Sequence, residues 1–477
     1  MNANAPTFSH SAHVPSTWRL VLGYTLMLVA AVGLFFLIRH FGEGLSPAVA
    51  ATKSVGPSGA AAKSETLFHV LFALVAIILL GRWLGKLFLH FGQPRVIGEI
   101  VAGIMLGPSL LGQISPEAME FVLPKHVAPF LGIIAQIGVI LYMFLVGLEL
   151  NAGLLKSRAH ATVAISHASI IAPFLLGAIL ALWLYPRLAV GHVPFTSFAL
   201  FMGVAMSITA FPVLARILTD RNMEKSELGV VAISCAAIDD VTAWCLLAFV
   251  VGIANSAVGE ALQTIVFALA YIAFMLIVIR PLAIRYLGTE AEKQPQRRMA
   301  VWVLVALLLS ALAAESIGIH AIFGAFLLGA VIPHDCDVAR DFRNKLEDIV
   351  KILLLPAFFA YTGMKTQIGL VSSGQEWLMV AIIILVATVG KFGGTYVAAR
   401  CTGLPGRTSA ALGILMNTRG LMELIVLNIG LEMGVISPTL FAMMVLMALI
   451  TTMATTPILQ LLVPAQLRSN RAAMNGE

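Results

Sequence analysis

The chain has very few charged residues for its length. Asp, Glu, Lys and Arg make up only 11% of the 477 residues, whereas hydrophobic residues make up 59% and the mean hydropathy is +0.95. A soluble protein of this length needs more charge than this to cover its surface. Runs of roughly 20 apolar residues recur between Leu20 and Pro464, and each can cross a hydrocarbon core about 30 Å thick. The sequence therefore predicts an all-α integral membrane protein.

Cysteine is also scarce, and the cysteines follow no metal-binding or disulfide pattern. The chain contains only four of them, without any CxxC pair, which excludes a recognisable zinc site or disulfide framework: Cys235, Cys245, Cys336 and Cys401. The net charge of +6 comes without a basic cluster interleaved with aromatic residues. We therefore assign this charge to cytoplasmic loops and expect no nucleic-acid partner and no cofactor.

Fourteen segments are predicted to cross the membrane, and the basic residues test that number. Cytoplasmic loops are enriched in Lys and Arg. When the loops are assigned alternately to two sides, 22 basic residues fall on one side and six on the other. A miscounted span would scramble this division, so we predict that both termini are cytoplasmic, in the cell (inner) membrane. The predicted spans are 19–39, 66–88, 95–112, 128–150, 159–185, 195–219, 226–254, 260–288, 299–314, 318–333, 347–369, 376–400, 407–432 and 438–464.

The first span is followed by a segment with the composition of a flexible linker, residues 40–64, which are rich in Gly, Ser, Ala and Pro. An alternative for this span is a cleaved secretory signal, with Arg19 before the apolar run and Ala48-Val49-Ala50 as the cleavage site. The run is long for a signal and the site is distant, which favours an uncleaved anchor. The predicted division is an N-terminal span and linker (1–64), a membrane domain (66–464) and a short cytoplasmic tail (465–477).

Two stretches of the chain are similar to one another at a nearly constant offset. Ala102–Gly107 is similar to Gly324–Gly329, and Phe144–Leu150 is similar to Phe359–Lys365 when Gly147 and Gly363 are aligned. The offset corresponds to seven predicted helices, and because seven is odd the two copies run in opposite directions through the bilayer. Inverted repeats of this kind are typical of secondary transporters.

The repeat directs attention to two spans that carry helix-breaking or polar residues at their centres. Pro212, within Ser207–Pro212, has no N–H and clashes with the carbonyl of Ile208, so the span 195–219 must open there. The corresponding span, 407–432, carries the polar segment Asn417–Gly420 at its middle. The sequence therefore predicts two crossed discontinuous helices, and ion sites of secondary transporters are built at such breaks.

Ionisable residues at membrane depth are costly and are candidates for function. Asp239 and Asp240 lie at the middle of the span 226–254, and their side chains project about 100° apart on a helix. One carboxylate can therefore line an ion path while the other meets Lys391, the only lysine at the middle of a predicted span. A bare carboxylate is a hard ligand for a small cation, and Thr209, Ser207 and the opened backbone are candidates for further oxygens. A purely structural ion pair is the alternative.

Arg419 and Glu423 are a second pair of charges inside a predicted span. They are spaced i,i+4 and can pair on one helix face. Arg419 either fills the gap of the broken helix as a fixed charge or forms, with Glu423, a neutral pair that steadies the break. The sequence does not favour one of these roles over the other.

Taken together, the motifs of the chain resemble those of a known family, the sodium/proton exchanger domain of the monovalent cation:proton antiporter-2 family. That family includes Kef-type potassium efflux proteins, bacterial sodium/proton antiporters and plant cation/proton exchangers. The resemblance covers about residues 66–464. It is carried by GQPRVIGEIVAGIMLGPS at 92–109, FLVGLE at 144–149, SITAFP at 207–212, AIDD at 237–240 and NTRGLMELIVLN at 417–428.

The resemblance implies an antiporter that works as a homodimer with an elevator-type movement. It implies that Asp240 is the ion and proton carrier, and that Asp239 pairs with Lys391, a combination seen in electrogenic members. The implied parts are a scaffold (66–150 and 299–369), a linking helix (260–288) and a mobile transport core (159–254 and 376–464). The chain departs from Kef-type proteins in having no Gly-rich phosphate loop, so we expect no gating by a nucleotide domain within it.

The sequence thus predicts a secondary active antiporter that exchanges Na⁺ or K⁺ for protons and is not an enzyme. An intramembrane aspartyl protease needs aspartates on separate helices and a GxGD motif, whereas Asp239 and Asp240 are adjacent and the motif is missing. Two further transport functions are also compatible with the sequence. One is a sodium-coupled symporter for an organic anion, and the second is a Kef-like potassium conductor regulated by a separate subunit.

Overall fold

The structure is a computed structural model, and it describes residues 17–43, 63–124, 126–149, 159–191, 193–221, 223, 226–255, 258–289, 296–333 and 336–462. Almost all of these residues are helical, which confirms the predicted all-α class. Most of the predicted linker and the tail 465–477 lie outside the described residues. The helices are α1 Thr17–Gly42, α2 Lys63–His90, α3 Arg95–Leu106, α4 Leu111–Ile114, α5 Pro116–Val122, α6 Ala128–Glu149, α7 Ala159–Leu188, α8 Phe195–Ser207, α9 Phe211–Asp220, α10 Glu227–Asn255, α11 Val258–Phe274, α12 Arg280–Ile284, α13 Gln296–Ile317, α14 Ala321–Val331, α15 Asp337–Ile349, α16 Leu355–Lys365, α17 Gly374–Cys401, α18 Gly406–Met416, α19 Leu421–Glu432 and α20 Pro438–Leu462.

Eleven helical segments of the described chain are long and apolar enough to cross a membrane. The remaining three predicted crossings are short or interrupted. The span 318–333 contains only the 11-residue helix α14, and the spans 195–219 and 407–432 are each divided into two helices, α8 with α9 and α18 with α19. These three exceptions are where the polar backbone of a transporter is expected to open.

One predicted boundary is wrong. The span predicted to begin at residue 347 is part of a helical segment that begins at Asp337, where α15 continues through a π-turn (Val350–Leu354) into α16. Hydropathy misses this extension because α15 is rich in charge. Its helical form is supported by i,i+4 ion pairs, Lys345 with Asp341 and Lys351 with Glu347, which a hydropathy pattern cannot register.

One set of helices packs through glycines of the internal repeat. This set comprises α2, α3, α6, α13, α14 and α16. A Cβ at Gly147 of α6 would lie 2.3 Å from the Phe326 carbonyl oxygen of α14, and one at Gly363 of α16 would lie 2.5 Å from the backbone of α3. The first copy therefore contacts the second at both matched glycines. This reciprocal contact is compatible with the inverted repeat, which stays a prediction from the sequence.

A second set of helices surrounds the two interrupted spans, and it comprises α7, α8, α9, α10, α17, α18, α19 and α20. Within it α7 packs closely against α17, where a Cβ at Gly394 would lie 2.6 Å from the Ala168 carbonyl oxygen. The N-terminal helix α1 packs on this set, with Phe35 against Phe174 and Gly42 against Phe195. A large core of buried apolar side chains joins the two sets.

A long helical segment connects the two sets along the chain. It runs from Val258 to Thr289 as α11 and α12, with π-turns at Met275–Ile279 and Arg285–Thr289. Pro281 lies between the two π-turns and removes one backbone donor from the helical ladder, which accounts for the locally wider turns. This segment coincides with the predicted linking helix 260–288.

The two interrupted helices cross at their breaks, as the sequence predicts. The backbone N–H of Ala210, between α8 and α9, donates to the Thr418 carbonyl at 2.9 Å, and the Thr209 hydroxyl lies 3.0 Å from the Met416 carbonyl oxygen. Pro212 is the second residue of α9, a position where a missing N–H leaves no helical acceptor unpaired. The proline therefore fixes where the second half-helix begins.

Candidate functional site

The middle of α10 passes the crossing point and carries the two aspartates. Asp239 and Asp240 are both buried, and Lys391 of α17 is buried beside them. Asp239 and Lys391 form an ion pair, with 2.9 Å between the Asp239 Oδ2 and Lys391 Nζ atoms. Two charges at this depth are tolerated only when each finds a partner, so the pair neutralises what would otherwise be an isolated lysine and an isolated carboxylate.

Asp239 is held by hydroxyl groups as well as by the lysine. Ser166 donates to Oδ1 at 2.5 Å, and the hydroxyls of Ser169 and Thr209 lie 2.9 and 2.8 Å from Oδ2. The Ser169 hydroxyl also lies 2.8 Å from the Ser166 carbonyl, so its single hydrogen is shared between two acceptors. Both carboxylate oxygens are therefore occupied by donors from α7, from the first break and from α17. Hydrogen bonds to an ionised acceptor are stronger than neutral ones and favour the charged form of the acceptor.

Lys391 reaches the C-terminal end of the half-helix α8. Its Nζ atom donates to the Ser207 carbonyl oxygen at 2.5 Å, in addition to Asp239, and lies 3.5 Å from the Ser169 hydroxyl. The last carbonyls of a helix have no helical partner and carry a partial negative charge. The break therefore supplies Lys391 with a second acceptor that an unbroken helix would not offer.

Asp240 contrasts with its neighbour. Only 2% of its surface is exposed, and neither carboxylate oxygen has a hydrogen-bond partner among the described residues. The backbone N–H of Phe211, the first residue of α9, faces this carboxylate. The N-terminus of a helix favours a negative charge, so the half-helix offers electrostatic support to Asp240 without saturating its oxygens.

The two hydroxyl residues predicted to assist Asp240 have different partners in this structure. The single hydrogen of the Thr209 hydroxyl is within reach of Asp239 and of the Met416 carbonyl, and that of the Ser207 hydroxyl is within reach of the Gly203 and Ile170 carbonyls. The structure thus brings Asp239, Lys391 and Thr209 together and leaves Asp240 alone on the adjacent face. A direct role for Ser207 or Thr209 in holding an ion stays a prediction.

Arg419 and Glu423 form a buried ion pair with 2.9 Å between Nη1 and Oε2. Arg419 also donates to the Ala205 carbonyl at 3.0 Å and to the Met206 carbonyl at 2.8 Å. The guanidinium therefore caps the end of α8 from the second break, which satisfies carbonyls that a broken helix leaves free. Both predicted roles are compatible with this geometry, because the cap is a fixed charge and also a structural clamp.

Ser166 and Ser169 are site residues that the sequence did not reveal. Both lie on α7, three residues apart, so that they share one helix face. The available signal is a pair of hydroxyls at i,i+3 within an otherwise apolar stretch. It is a weak signal, because serine is common in membrane helices and usually bonds to the carbonyl of its own preceding turn.

Comparison with known proteins agrees with this geometry. Residues 70–463 match the family described as sodium/hydrogen exchanger, transmembrane. The chain is 43% identical over 405 residues to Na⁺/H⁺ antiporter NhaS4 of Synechocystis sp., covering 84% of this chain and 99% of that protein. It is 39% identical to cation/H⁺ antiporter 20 of Arabidopsis thaliana and 34% identical to K⁺/H⁺ antiporter 1 of Saccharomyces cerevisiae, covering 82% and 85% of this chain. The chain spans only 48% and 47% of those two longer proteins.

The fold is similar to that of a solved transporter. The sodium proton antiporter MjNhaP1 from Methanocaldococcus jannaschii superposes with a TM-score of 0.61 at 16% identity, covering 83% of this chain and 96% of that one. At this identity the similarity concerns the fold alone. The chain therefore belongs to the transmembrane sodium/hydrogen exchanger family, grouping with cation/proton antiporters, and is a transporter and not an enzyme.

Proposed function

We propose that the chain is a secondary active antiporter in which a monovalent cation, Na⁺ or K⁺, and a proton compete for Asp240. The observation that carries this proposal is the buried Asp240 carboxylate, which faces the N-terminus of α9 and accepts no hydrogen bond from any side chain of the described residues. A carboxylate in this position must be neutralised, because an isolated buried charge is strongly disfavoured. A proton and a small cation are the two species that can neutralise it, and their mutual exclusion couples the two fluxes.

The names of the relatives support the choice of cargo. The cyanobacterial relative is named for Na⁺ and the yeast relative for K⁺, and both names include H⁺. Carboxylate and carbonyl oxygens are hard ligands that suit alkali cations. The first break ends beside Asp240, at the backbone of Phe211, so the carbonyls of this break are the proposed additional ligands.

A transport assay tests this function and separates it from the symporter and the conductor. Purified protein is placed in sealed liposomes that contain a pH-sensitive dye, and Na⁺, K⁺ or Li⁺ is added outside. An antiporter moves protons out when the cation enters, without any organic anion. A sodium-coupled symporter shows proton-independent flux that requires the anion, and a potassium conductor shows cation flux that does not move protons in exchange. Either of these two results would refute the proposal.

We propose that the set α2, α3, α6, α13, α14 and α16 is the scaffold and that the set around the breaks is the mobile core. Three polar contacts cross this boundary along α19. Lys365 forms an ion pair with Glu432, with 3.0 Å between Nζ and Oε1, and the Gln136 side-chain amide lies 3.5 Å from the second Glu432 oxygen. The Asn428 side-chain amide donates to the Thr362 hydroxyl at 2.7 Å. An elevator movement would break these contacts in each cycle, since α19 belongs to one set and their partners to the other.

Tethering Lys365 to Glu432 is expected to stop exchange. With both residues changed to cysteine in a background without the four native cysteines, a short bifunctional thiol reagent would join scaffold to core and reduce flux to the level of empty liposomes. The matched control is the pair Lys345 and Asp341. Both lie within the single helix α15, and the Lys345 Nζ and Asp341 Oδ2 atoms are 2.6 Å apart. Crosslinking the control should leave flux unchanged. Full activity of the tethered boundary pair would refute relative movement of the two sets.

Removing Arg419 is expected to weaken both stability and transport. Arg419→Ala leaves Glu423 and the Ala205 and Met206 carbonyls buried without their donor, and breaking a buried ion pair from one side costs about 3–5 kcal/mol. Thermal unfolding in detergent measures the stability, with the double variant Arg419→Met, Glu423→Gln as the control that removes both charges. The double variant should be the more stable of the two. Wild-type stability and flux in Arg419→Ala would show that the residue is neither clamp nor site element.

The remaining proposals concern the assembly and its orientation. We propose a homodimer in the cell (inner) membrane, based on the family resemblance. We propose that both termini are cytoplasmic, based on the division of basic residues between the two sides. The outer face of α2 is apolar and exposed, with Leu67, Leu71, Leu79 and Trp83 available for lipid or for a second subunit. Mass measurement of the protein in detergent or nanodiscs tests the dimer.

A further inference from the structure

The N-terminal helix α1 is buried along one side only. Apart from Arg39, its buried and half-buried residues recur every three or four positions, which is the spacing of a single helix face. The face consists of Tyr24, Met27, Ala31, Phe35, Ile38 and Gly42. Large apolar residues elsewhere on the helix, such as Leu26, Val29 and Phe36, are exposed and suit contact with lipid tails. One face of α1 therefore packs on protein, and the rest faces the bilayer.

The partner of this face is the set of helices around the breaks, because α1 packs on α7 and α8. The ring centroids of Phe35 and Phe174 are 5.9 Å apart, and those of Tyr24 and His167 are 5.3 Å apart in an edge-to-face arrangement. His167 and Phe174 are separated by two helical turns and share one face of α7. The two contacts advance along both helices, so α1 and α7 run side by side in the same direction.

The last turn of α1 fits against α8 through a glycine. A Cβ built at Gly42 would overlap the ring of Phe195, the first residue of α8. In contrast, no described atom lies within 4 Å of a Cβ built at Gly23 or Gly33 of the same helix. Of the glycines of α1, the one on the protein-facing side is thus the one that close packing requires.

We propose that α1 is an additional helix of the mobile core, which docks on α7 and α8, moves with them during exchange and holds α7 against α17. This inference rests on the proposed movement of the core against the scaffold. The helix lies outside residues 70–463, the part of the chain that matches the family. The family match therefore assigns no role to α1, and its place in the cycle follows from its contacts.

The connection to the next helix agrees with this assignment. The helix α2 belongs to the scaffold set, whereas α1 packs on the core. Neighbouring helices of a bundle are usually joined by about two to eight residues. The segment between α1 and α2, residues 43–62, is longer than this and has the composition of a flexible linker. A connection of this length can let α1 follow the core while α2 stays with the scaffold.

The contact with α1 lies at a weak point of α7. Pro173 lies inside this helix, where it has no N–H to donate to the preceding turn. The next residue, Phe174, contacts Phe35 of α1, and a Cβ at Gly390 of α17 would lie 2.7 Å from the Pro173 Cα atom. The proline segment of α7 is therefore in contact with both α1 and α17. Since Gly390 precedes Lys391, this contact sets how α7 and α17 meet beside the ion pair.

Adding a side chain at Gly42 tests the docking of α1. Gly42→Leu should separate α1 from α8, which is expected to lower the unfolding temperature and to reduce cation-driven proton flux to less than half of wild type. Gly33→Leu is the matched control, because the same side chain enters open space on the same helix and should change neither quantity. Adding Phe195→Ala to Gly42→Leu should recover part of the loss, because the effects of contacting residues are not additive. Wild-type stability and flux in Gly42→Leu would overturn the docking.

A tether between α1 and α7 tests the movement of α1. Phe35→Cys and Phe174→Cys are combined in the background without the four native cysteines, and a short bifunctional thiol reagent joins the two residues. Flux should equal that of the untreated variant, because both helices move together. The tether between Lys365 and Glu432 is the reference, since it joins scaffold to core and should stop exchange.

The outcomes separate this inference from the proposed function. If the tether between α1 and α7 stops flux as the reference tether does, α1 does not move with the core. If both tethers form and neither changes flux, movement of the core is refuted, and that of α1 with it. If the first cysteine variant does not fold, Tyr24→Cys with His167→Cys joins the same two helices and decides in its place. Absence of cation-driven flux in the wild type would refute the proposed function itself, whereas the unfolding temperature of Gly42→Leu would still decide whether α1 docks on the core.

Discussion

Replacing Asp240 with asparagine is expected to abolish cation-driven proton exchange while leaving the protein folded. Asparagine has the same shape but cannot bind and release a proton, and it offers one neutral oxygen where the carboxylate offers two charged ones. Among the described residues no side chain donates to the wild-type carboxylate, and asparagine keeps an oxygen that can face the Phe211 N–H. It also removes a buried ionisable group, which should leave the stability unchanged or raised.

The measurement is proton flux in liposomes at several cation concentrations, together with thermal unfolding of the same preparation. Flux of Asp240→Asn should equal that of empty liposomes for Na⁺, K⁺ and Li⁺. Asp240→Glu is the control that keeps the charge but displaces it by one methylene, and it should retain part of the flux with a weaker apparent cation affinity. Near-normal exchange by folded Asp240→Asn would remove Asp240 from its proposed role.

The architecture can be predicted from the sequence because the membrane imposes a simple rule. Each crossing needs a long apolar run, and backbone can open at membrane depth only where protein covers it. Pro212 therefore marks the first break. The internal repeat then predicts a second break at the corresponding segment Asn417–Gly420, where α18 ends and α19 begins. The start of α15 is missed because its helix is exposed and charged, so hydropathy carries no information about it.

The candidate site can be predicted only in part from the sequence, for a related reason. Buried charges are so rare in membrane spans that Asp239, Asp240 and Lys391 can be matched as partners by elimination. Which aspartate pairs with the lysine, and which hydroxyls assist, depends on how α7 and α17 face α10. Side chains such as Ser166 and Thr209 have no sequence periodicity that reveals their orientation. Thr209 is expected beside Asp240 but donates to Asp239, a difference of one helical position around α10.

Wild-type exchange is expected to respond to the membrane potential, and neutralising the pair of Asp239 and Lys391 is expected to remove that response. We propose a cycle in which one proton leaves Asp240 and another leaves Lys391 for each cation bound. Two protons then cross against one monovalent cation, so each cycle moves one net charge. The potential adds about 2.3 kcal/mol per charge for each 100 mV, which corresponds to roughly a fiftyfold change in the equilibrium ratio.

Lys391→Gln and Asp239→Asn should each give electroneutral exchange or none. The glutamine variant leaves Asp239 with its hydroxyl donors but without a second proton to release, and the asparagine variant leaves the lysine ammonium with the Ser207 carbonyl as its main acceptor. The double variant Lys391→Gln, Asp239→Asn removes both charges and therefore avoids the cost of an unpaired buried charge. The double variant should therefore be more stable than either single variant, and it should exchange one cation for one proton without net charge movement.

The experiment uses sealed liposomes in which potassium and valinomycin set a diffusion potential and Na⁺ or Li⁺ is the transported cation. A potential that is negative on the side to which protons move should accelerate wild-type flux, and the opposite potential should slow it. The double variant should respond to neither, because its single proton and single cation carry equal charge. If wild-type flux ignores the potential, the two-proton cycle is wrong although antiport through Asp240 survives. If the double variant keeps the wild-type response, Asp239 and Lys391 serve as a structural ion pair and the second proton is carried elsewhere.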